Sequence, residues 1–180
     1  MSAGQKYNFG KDWFIRLKRL IKHFIYPFSN KHKNPFPPNG FLEWLIDLIV
    51  YKLDVLIFPE IYSLFQVIFN RGIRKFNDSE RQLAMQIFGN NVQYNRVLIN
   101  ANAKLISHKY ASAFVTFNTI NYHKTMSDPV FIHEMTHIWQ YQHFGSIYIA
   151  KALKAQQSNE GYDYGGIEGL YHAFNKGKNL

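Results

Sequence analysis

The order of apolar and polar residues predicts a helix near the start of the chain. Within residues 11–28, basic residues alternate with large apolar residues at helical spacing, which is the pattern of a basic amphipathic helix. The apolar positions are Trp13, Phe14, Ile15, Leu17, Leu20, Ile21, Phe24 and Ile25. Such a helix binds an anionic membrane or an acidic partner, or it packs on the domain with its basic face in solvent.

A second apolar region follows a connector at residues 34–40, where prolines and a glycine break helical structure. Residues 41–58 are mostly apolar, but charged residues and a proline interrupt or end the run: Glu43, Asp47, Lys52, Asp54 and Pro59. A bilayer demands about 20 apolar residues with few or no charges, so the run does not fit a membrane span. We predict a helix buried on most of its circumference, with Glu43 and Asp47 on one polar stripe, and a second helix at residues 60–70.

From residue 77 onward the pattern becomes that of a compact α+β domain. Ser79 and Gln82 form a potential capping box for a helix that reaches Phe88 and stops at Gly89. Three segments rich in β-branched and aromatic residues predict strands, at residues 93–100, 104–108 and 113–120. The predicted organisation is a basic arm and connector at 1–40, a helical hairpin-like region at 41–76, and a domain with a small mixed or antiparallel sheet at 77–180.

The sequence HEMTH at residues 133–137 is an HExxH motif. We predict a helix for it, with Asp128 as the N-cap and Pro129 in the first helical position. His133 and His137, four residues apart, then lie on one helix face and can bind one Zn²⁺ ion. Glu134 points elsewhere around the helix and suits a general base that takes a proton from water. The alternative is an ordinary amphipathic helix whose histidines belong to the core.

The third zinc ligand stays open at this point. His143 has metzincin-like spacing from His133, but Gln140 stands where metzincins have a helix-breaking glycine. If the helix runs on to Gly145, His143 points away from the site. A carboxylate from a later helix fits better, as in gluzincins. Glu160 and Glu168 both follow His137 at a workable distance, and Glu168 is the better placed of the two. The open candidates are Glu168, Glu160, Asp163, His143, His172 or a residue beyond Leu180.

Composition and charge limit the other kinds of chemistry. The chain has no cysteine, which excludes disulfides, cysteine zinc ligands and thiol catalysis. Eight of its basic residues and one acidic residue lie in the first 36, a net charge of +7 out of the total of +9. The first residues do not resemble a classical signal peptide, so we expect synthesis in the cytoplasm. No nucleic-acid-reading motif accompanies the charge, which makes nucleic acid an unlikely partner.

The segment IHEMTHIWQYQHFG resembles the LxHELTHVWQ signature of bacterial zincin-like domains found beside Rhs and Vgr proteins of contractile injection systems. The segments NDSERQLAMQIFG, NRVLIN and EGYDYGG also resemble that family, so the resemblance covers residues 77–180. Its HExxH residues correspond to His133, Glu134 and His137. The resemblance implies a zincin-like fold, a metallopeptidase function and export by a contractile injection system.

Two functions of different classes follow from these observations. The first is a zinc-dependent peptidase that cleaves peptide or related amide bonds, acting as a secreted effector or as its processing domain. The second is an inactive zincin-like interaction protein that docks on a membrane or on a secretion partner through its basic N-terminal helices. Zinc content measured together with hydrolysis distinguishes the two.

Overall fold

The computed structural model describes residues 8–28, 37–70, 72–103 and 113–156. These residues form a mixed α+β fold, which confirms the predicted class. The α-helices are α1 (Phe9–Ile25), α2 (Phe41–Val55), α3 (Phe58–Phe69), α4 (Asp78–Phe88), α5 (Asp128–Phe144) and α6 (Ile147–Gln156). The strands are β1 (Ile73–Arg74), β2 (Leu98–Asn100), β3 (Ala113–Thr116) and β4 (Thr119–Tyr122).

The four strands form one small mixed sheet in the order β1-β2-β4-β3. β2 and β4 are parallel, with Ile99 opposite Ile120, whereas β1 and β3 pair antiparallel with their neighbours. The predicted strand at 113–120 is wrong in one respect, because it turns back on itself at Phe117 to form the hairpin of β3 and β4. The predicted strand at 104–108 lies outside the described residues.

The hydrophobic core lies between the sheet and α5. Phe131, Met135 and Ile138 of α5 follow each other at helical spacing, and all three are almost completely buried. They pack with Ile99 and Ile120 of the sheet. Burying a side chain of this size contributes about 1.5–3 kcal/mol, so this stripe fixes the rotation of α5 on the sheet. The same rotation places His133 on the exposed side of the helix.

The α4 helix begins with a capping box, but its members differ from the predicted pair. The Asn77 side chain accepts a hydrogen bond from the Glu80 backbone N–H, and the Glu80 carboxylate accepts one from the Asn77 N–H. Ser79 donates its hydroxyl to the Asn77 side chain instead of capping the helix itself. The predicted end is confirmed, because Gly89 forms the C-cap with a positive φ of 53°.

The α2 helix does not bury most of its circumference, and that prediction is wrong. Glu43 and Asp47 share one stripe as expected, but this polar stripe is the one turned inward, with Asp47 only 2% exposed. Asp47 pairs with Lys151 of α6 at 2.7 Å, and Glu43 pairs with Lys154 at 2.8 Å. The inward face of this helix therefore combines long-range ion pairs with two buried residues, Leu48 and Tyr51.

Polar contacts also join the N-terminal helices to the remainder of the described chain. A buried Arg16 in α1 donates to Glu60 in α3 at 2.8 Å and to the backbone oxygen of Asp54 at 3.0 Å. The Asp54 carboxylate, at the end of α2, accepts the backbone N–H of Ser146 at 2.9 Å, just before α6 begins. These contacts fix α1 and α2 beside the α5–α6 turn.

Within the described ranges, no helix has both the length and the apolarity that crossing a bilayer requires.

Candidate metal centre

The HExxH motif lies in the first half of α5, as the sequence predicts. The helix begins one residue away from the predicted cap, since Ser127 occupies the N-cap position and Asp128 belongs to the first turn. Pro129 lies in that first turn, where a missing N–H costs no helical hydrogen bond. The helix continues to Phe144 and ends at Gly145, whose φ of 81° is readily adopted by glycine.

His133 and His137 meet through their Nε2 atoms, which lie 3.1 Å apart. The two rings are nearly perpendicular, with centroids 4.7 Å apart. Two nitrogen ligands at about 2.0–2.1 Å from a tetrahedral zinc ion lie roughly 3.3 Å from each other. The observed Nε2 separation is close to that value, so the pair fits one zinc ion with little adjustment. His133 is exposed in the part of the chain that the structure describes.

The second ring nitrogen of His137 has partners of its own. Nδ1 lies 3.1 Å from the Gln140 side-chain oxygen and also contacts the Tyr148 hydroxyl. An amide oxygen only accepts hydrogen bonds, so Nδ1 carries the proton and Nε2 keeps its lone pair for a metal. Burial, together with the neighbouring His133, lowers the pKa of His137, while the Gln140 hydrogen bond opposes that change. The neutral imidazole that metal binding requires is therefore favoured.

Glu134 follows His133 in the sequence and is buried, with an exposed fraction of 5%. Its Oε2 atom has no hydrogen-bond partner among the described residues. Burial raises the pKa of Glu134 to about 7, because a low-dielectric surrounding disfavours the charged form. A buried carboxyl group without a full set of partners is costly, which makes Glu134 a candidate for a functional position. Two imidazoles whose Nε2 atoms meet, followed in the sequence by a buried carboxyl group, are a donor set that fits a zinc ion.

His143 does not join the pair. The helix continues past it, and its Nδ1 bonds the backbone oxygen of Trp139 at 2.9 Å while its ring lies against the Trp139 indole. In the part of the chain that the structure describes, no group of three or more potential metal ligands is present. The other candidates for a third ligand lie outside the described residues: Glu160, Asp163, Glu168 and His172. The structure therefore brings together two of the predicted ligands, His133 and His137, and the third stays a prediction.

Tyr148, which no pattern in the sequence singles out, lies beside the histidine pair. It lies in the first turn of α6, and its ring stacks on His137 with centroids 5.8 Å apart. Gly145 ends α5, and the chain turns there so that Tyr148 at the start of α6 contacts His137. Gln140, which the sequence marks only as a departure from the metzincin glycine, also contacts His137.

We expect Tyr148→Phe to weaken zinc binding by about tenfold, at the lower end of the range for groups that orient metal-bound histidines. The change removes the hydroxyl next to Nδ1 of His137 and keeps the ring and the Gln140 contact. A competition titration between the full chain and a zinc-binding dye measures the affinity. Tyr62→Phe in α3 is the matched control and should leave zinc affinity unchanged. Equal affinities in the wild type and Tyr148→Phe would remove Tyr148 from the site.

The comparisons with known proteins give no relative for this chain. No family model, no curated protein and no solved structure matches it. The support for a metal centre comes from three features of the chain itself: the two imidazoles, the buried carboxyl group of Glu134, and the contacts that orient His137.

Proposed function

We propose that the protein is a zinc-dependent peptidase that hydrolyses peptide or related amide bonds. The observation that carries the proposal is the meeting of the His133 and His137 Nε2 atoms at 3.1 Å, on a helix that also buries the Glu134 carboxyl group. This set combines two nitrogen ligands with a potential proton acceptor, and a third protein ligand, still a prediction, would complete the site for metal-assisted hydrolysis. The alternative, two core histidines on an ordinary helix, does not suit an exposed His133.

Each residue has a distinct task in this proposal. His133 and His137 hold the zinc ion, and Gln140 and Tyr148 keep the His137 ring in its binding orientation. When bound, zinc polarises a carbonyl group and makes water more acidic. Glu134 takes the proton of the attacking water and later gives it to the leaving amine nitrogen. A pKa of about 7 suits both halves of that transfer near neutral pH.

The edge of the sheet offers a place for an extended substrate. β3 pairs with β4, and no other described strand pairs with it. β3 also packs near α5. A strand with an open edge can bind an extended peptide through backbone hydrogen bonds. We propose that a peptide lies along β3 with its scissile bond toward the histidine pair.

The finer parts of the proposal rest on the sequence resemblance. The motif HEMTHIWQ and its neighbouring segments resemble bacterial zincin-like domains that accompany Rhs and Vgr proteins. On that basis we propose a zincin-like identity for the domain that carries α5, and a role as an effector, or its processing domain, exported by a contractile injection system. The mixed sheet followed by an HExxH helix is compatible with this identity.

The proposed activity is tested by the zinc dependence of peptide hydrolysis. The full chain, loaded with zinc, is incubated with a general peptide library, and the products are identified by mass spectrometry. We expect cleavage that stops when a chelator removes the metal and returns when zinc is added back. Cleavage that persists without metal would contradict the zinc dependence, and a zinc-loaded chain that cleaves nothing would contradict the peptidase and favour the interaction protein.

A further inference from the structure

Large exposed apolar side chains are concentrated in the three N-terminal helices. Of the 25 that are exposed in the described part of the chain, 21 lie between Phe9 and Phe69. Single exposed apolar residues are normal, but a contiguous apolar surface marks an interaction site. The described part of the chain that contains α4, the sheet and α5 has only three exposed large apolar residues, Met85, Ile87 and Phe114.

The α1 helix is turned with its polar side inward. Residues three or four positions apart lie on the same side of a helix. In α1 they form a polar stripe that faces the protein and a mostly apolar stripe that faces away from it. The inward stripe is Asp12, Arg16, Arg19 and His23, with Arg16 and His23 buried. The outward stripe is Phe14, Lys18, Ile21 and Ile25, all of them exposed. Apolar residues therefore share the exposed face of α1 with lysine.

The α2 helix repeats the same arrangement. Its inward residues include Asp47 and Asp54, each 2% exposed, while the outward stripe is Leu42, Ile46, Ile49, Leu53 and Leu56. The outer surfaces of α1 and α2 are linked around Trp44, because Phe24 of α1 and Phe41 of α2 both contact its ring. Exposed apolar residues continue into α3, where Phe65 and Phe69 stack on each other.

Charges are sorted between the two sides in the same way. The five acidic residues of the first 70 are all buried or half-buried and engaged in polar contacts: Asp12, Glu43, Asp47, Asp54 and Glu60. The exposed lysines of the same helices point outward: Lys11, Lys18, Lys22 and Lys52. The outer side of the described α1–α3 region therefore combines apolar side chains with positive charge and carries no exposed carboxylate.

We propose that the outer side of α1–α3 binds the interface of an anionic lipid bilayer, with the helices lying in the plane of the membrane. Apolar side chains enter the boundary between headgroups and acyl chains, and lysines at the same level meet anionic headgroups. At 15 and 12 residues, α2 and α3 are shorter than a membrane span. A second copy fits this surface less well, because a symmetric interface would place the lysine-bearing stripes of two chains together.

The test is flotation of the full chain with vesicles of phosphatidylcholine alone or mixed with phosphatidylglycerol. We expect binding to the mixed vesicles that weakens as salt is raised. Lys18→Gln with Lys22→Gln should lower binding to the anionic vesicles about fivefold for each charge removed. Phe14→Gln or Ile21→Gln should lower it about tenfold or more, because each removes a large apolar side chain from the lipid boundary.

The matched control is Ile87→Gln in α4, which removes an exposed apolar residue outside the three helices and should leave vesicle binding unchanged. Far-ultraviolet circular dichroism of each variant checks that the fold is intact. The proposal is overturned if the full chain binds neither vesicle at low salt. A dimer in solution that Phe14→Gln disrupts, with no vesicle binding, would assign the surface to a second copy. The proposal would also be overturned if the full chain bound duplex DNA as tightly as it binds anionic vesicles and Phe14→Gln left the DNA binding unchanged.

Discussion

Glu134→Gln is expected to lower the rate of peptide hydrolysis by about 10²–10⁴-fold, while zinc content stays the same. The amide keeps the shape of the side chain but cannot take a proton from water. Glu134 is buried, and its Oε2 atom has no partner among the described residues, so the substitution breaks no ion pair within that part of the chain. The loss should therefore appear in the rate and leave the fold and the metal unchanged.

The measurement compares cleavage of one library peptide by equal amounts of zinc-loaded wild type and variant. Thr136→Ala is the control on the same helix, because its exposed hydroxyl bonds the backbone oxygen of Ile132 and plays no part in the proposed reaction. We expect the control to keep nearly full activity. Equal rates for Glu134→Gln and the wild type would exclude Glu134 as the base.

Removing either histidine of the pair should remove the zinc. We expect the zinc content to fall from about one ion per chain to almost none in His133→Ala and in His137→Ala. A structural or catalytic zinc site needs at least three protein ligands, and the loss of one leaves too few to hold the ion tightly. Elemental analysis of the full chain after removal of loosely bound metal gives the stoichiometry.

His143→Ala is the matched control for those two variants, since it removes a histidine from the same helix. His143 bonds the backbone of Trp139 and stacks on its ring, so zinc should remain when His143 is replaced. Retained zinc in both His133→Ala and His137→Ala would contradict the assignment of the pair. Loss of zinc in His143→Ala would instead make His143 a ligand.

Local rules in the sequence predict the helix that carries the HExxH motif well. The HExxH spacing places two imidazoles on one face of any α-helix, and Gly145 marks where α5 ends. The orientation of His137 depends on Tyr148, which is contributed by a different helix. Contacts between elements leave no periodic signal in a single sequence, which is why this residue was missed.

The two larger errors have different physical causes. The hairpin between β3 and β4 turns at Phe117, whose positive φ of 53° is unusual for an aromatic residue and is not signalled by glycine or proline. For α2, the pattern separates an apolar stripe from a polar one but cannot say which faces inward. The ion pair between Asp47 and Lys151 decides that, and it joins residues 104 positions apart.

The central claim, that His133 and His137 together bind zinc, is tested most directly by X-ray absorption at the zinc edge on the zinc-loaded full chain. We expect a first shell that contains at least two imidazole nitrogens at about 2.0 Å. The imidazole contribution should be present in the wild type and in His143→Ala. A first shell made only of oxygen, or a purified chain that takes up no zinc at all, would contradict the claim.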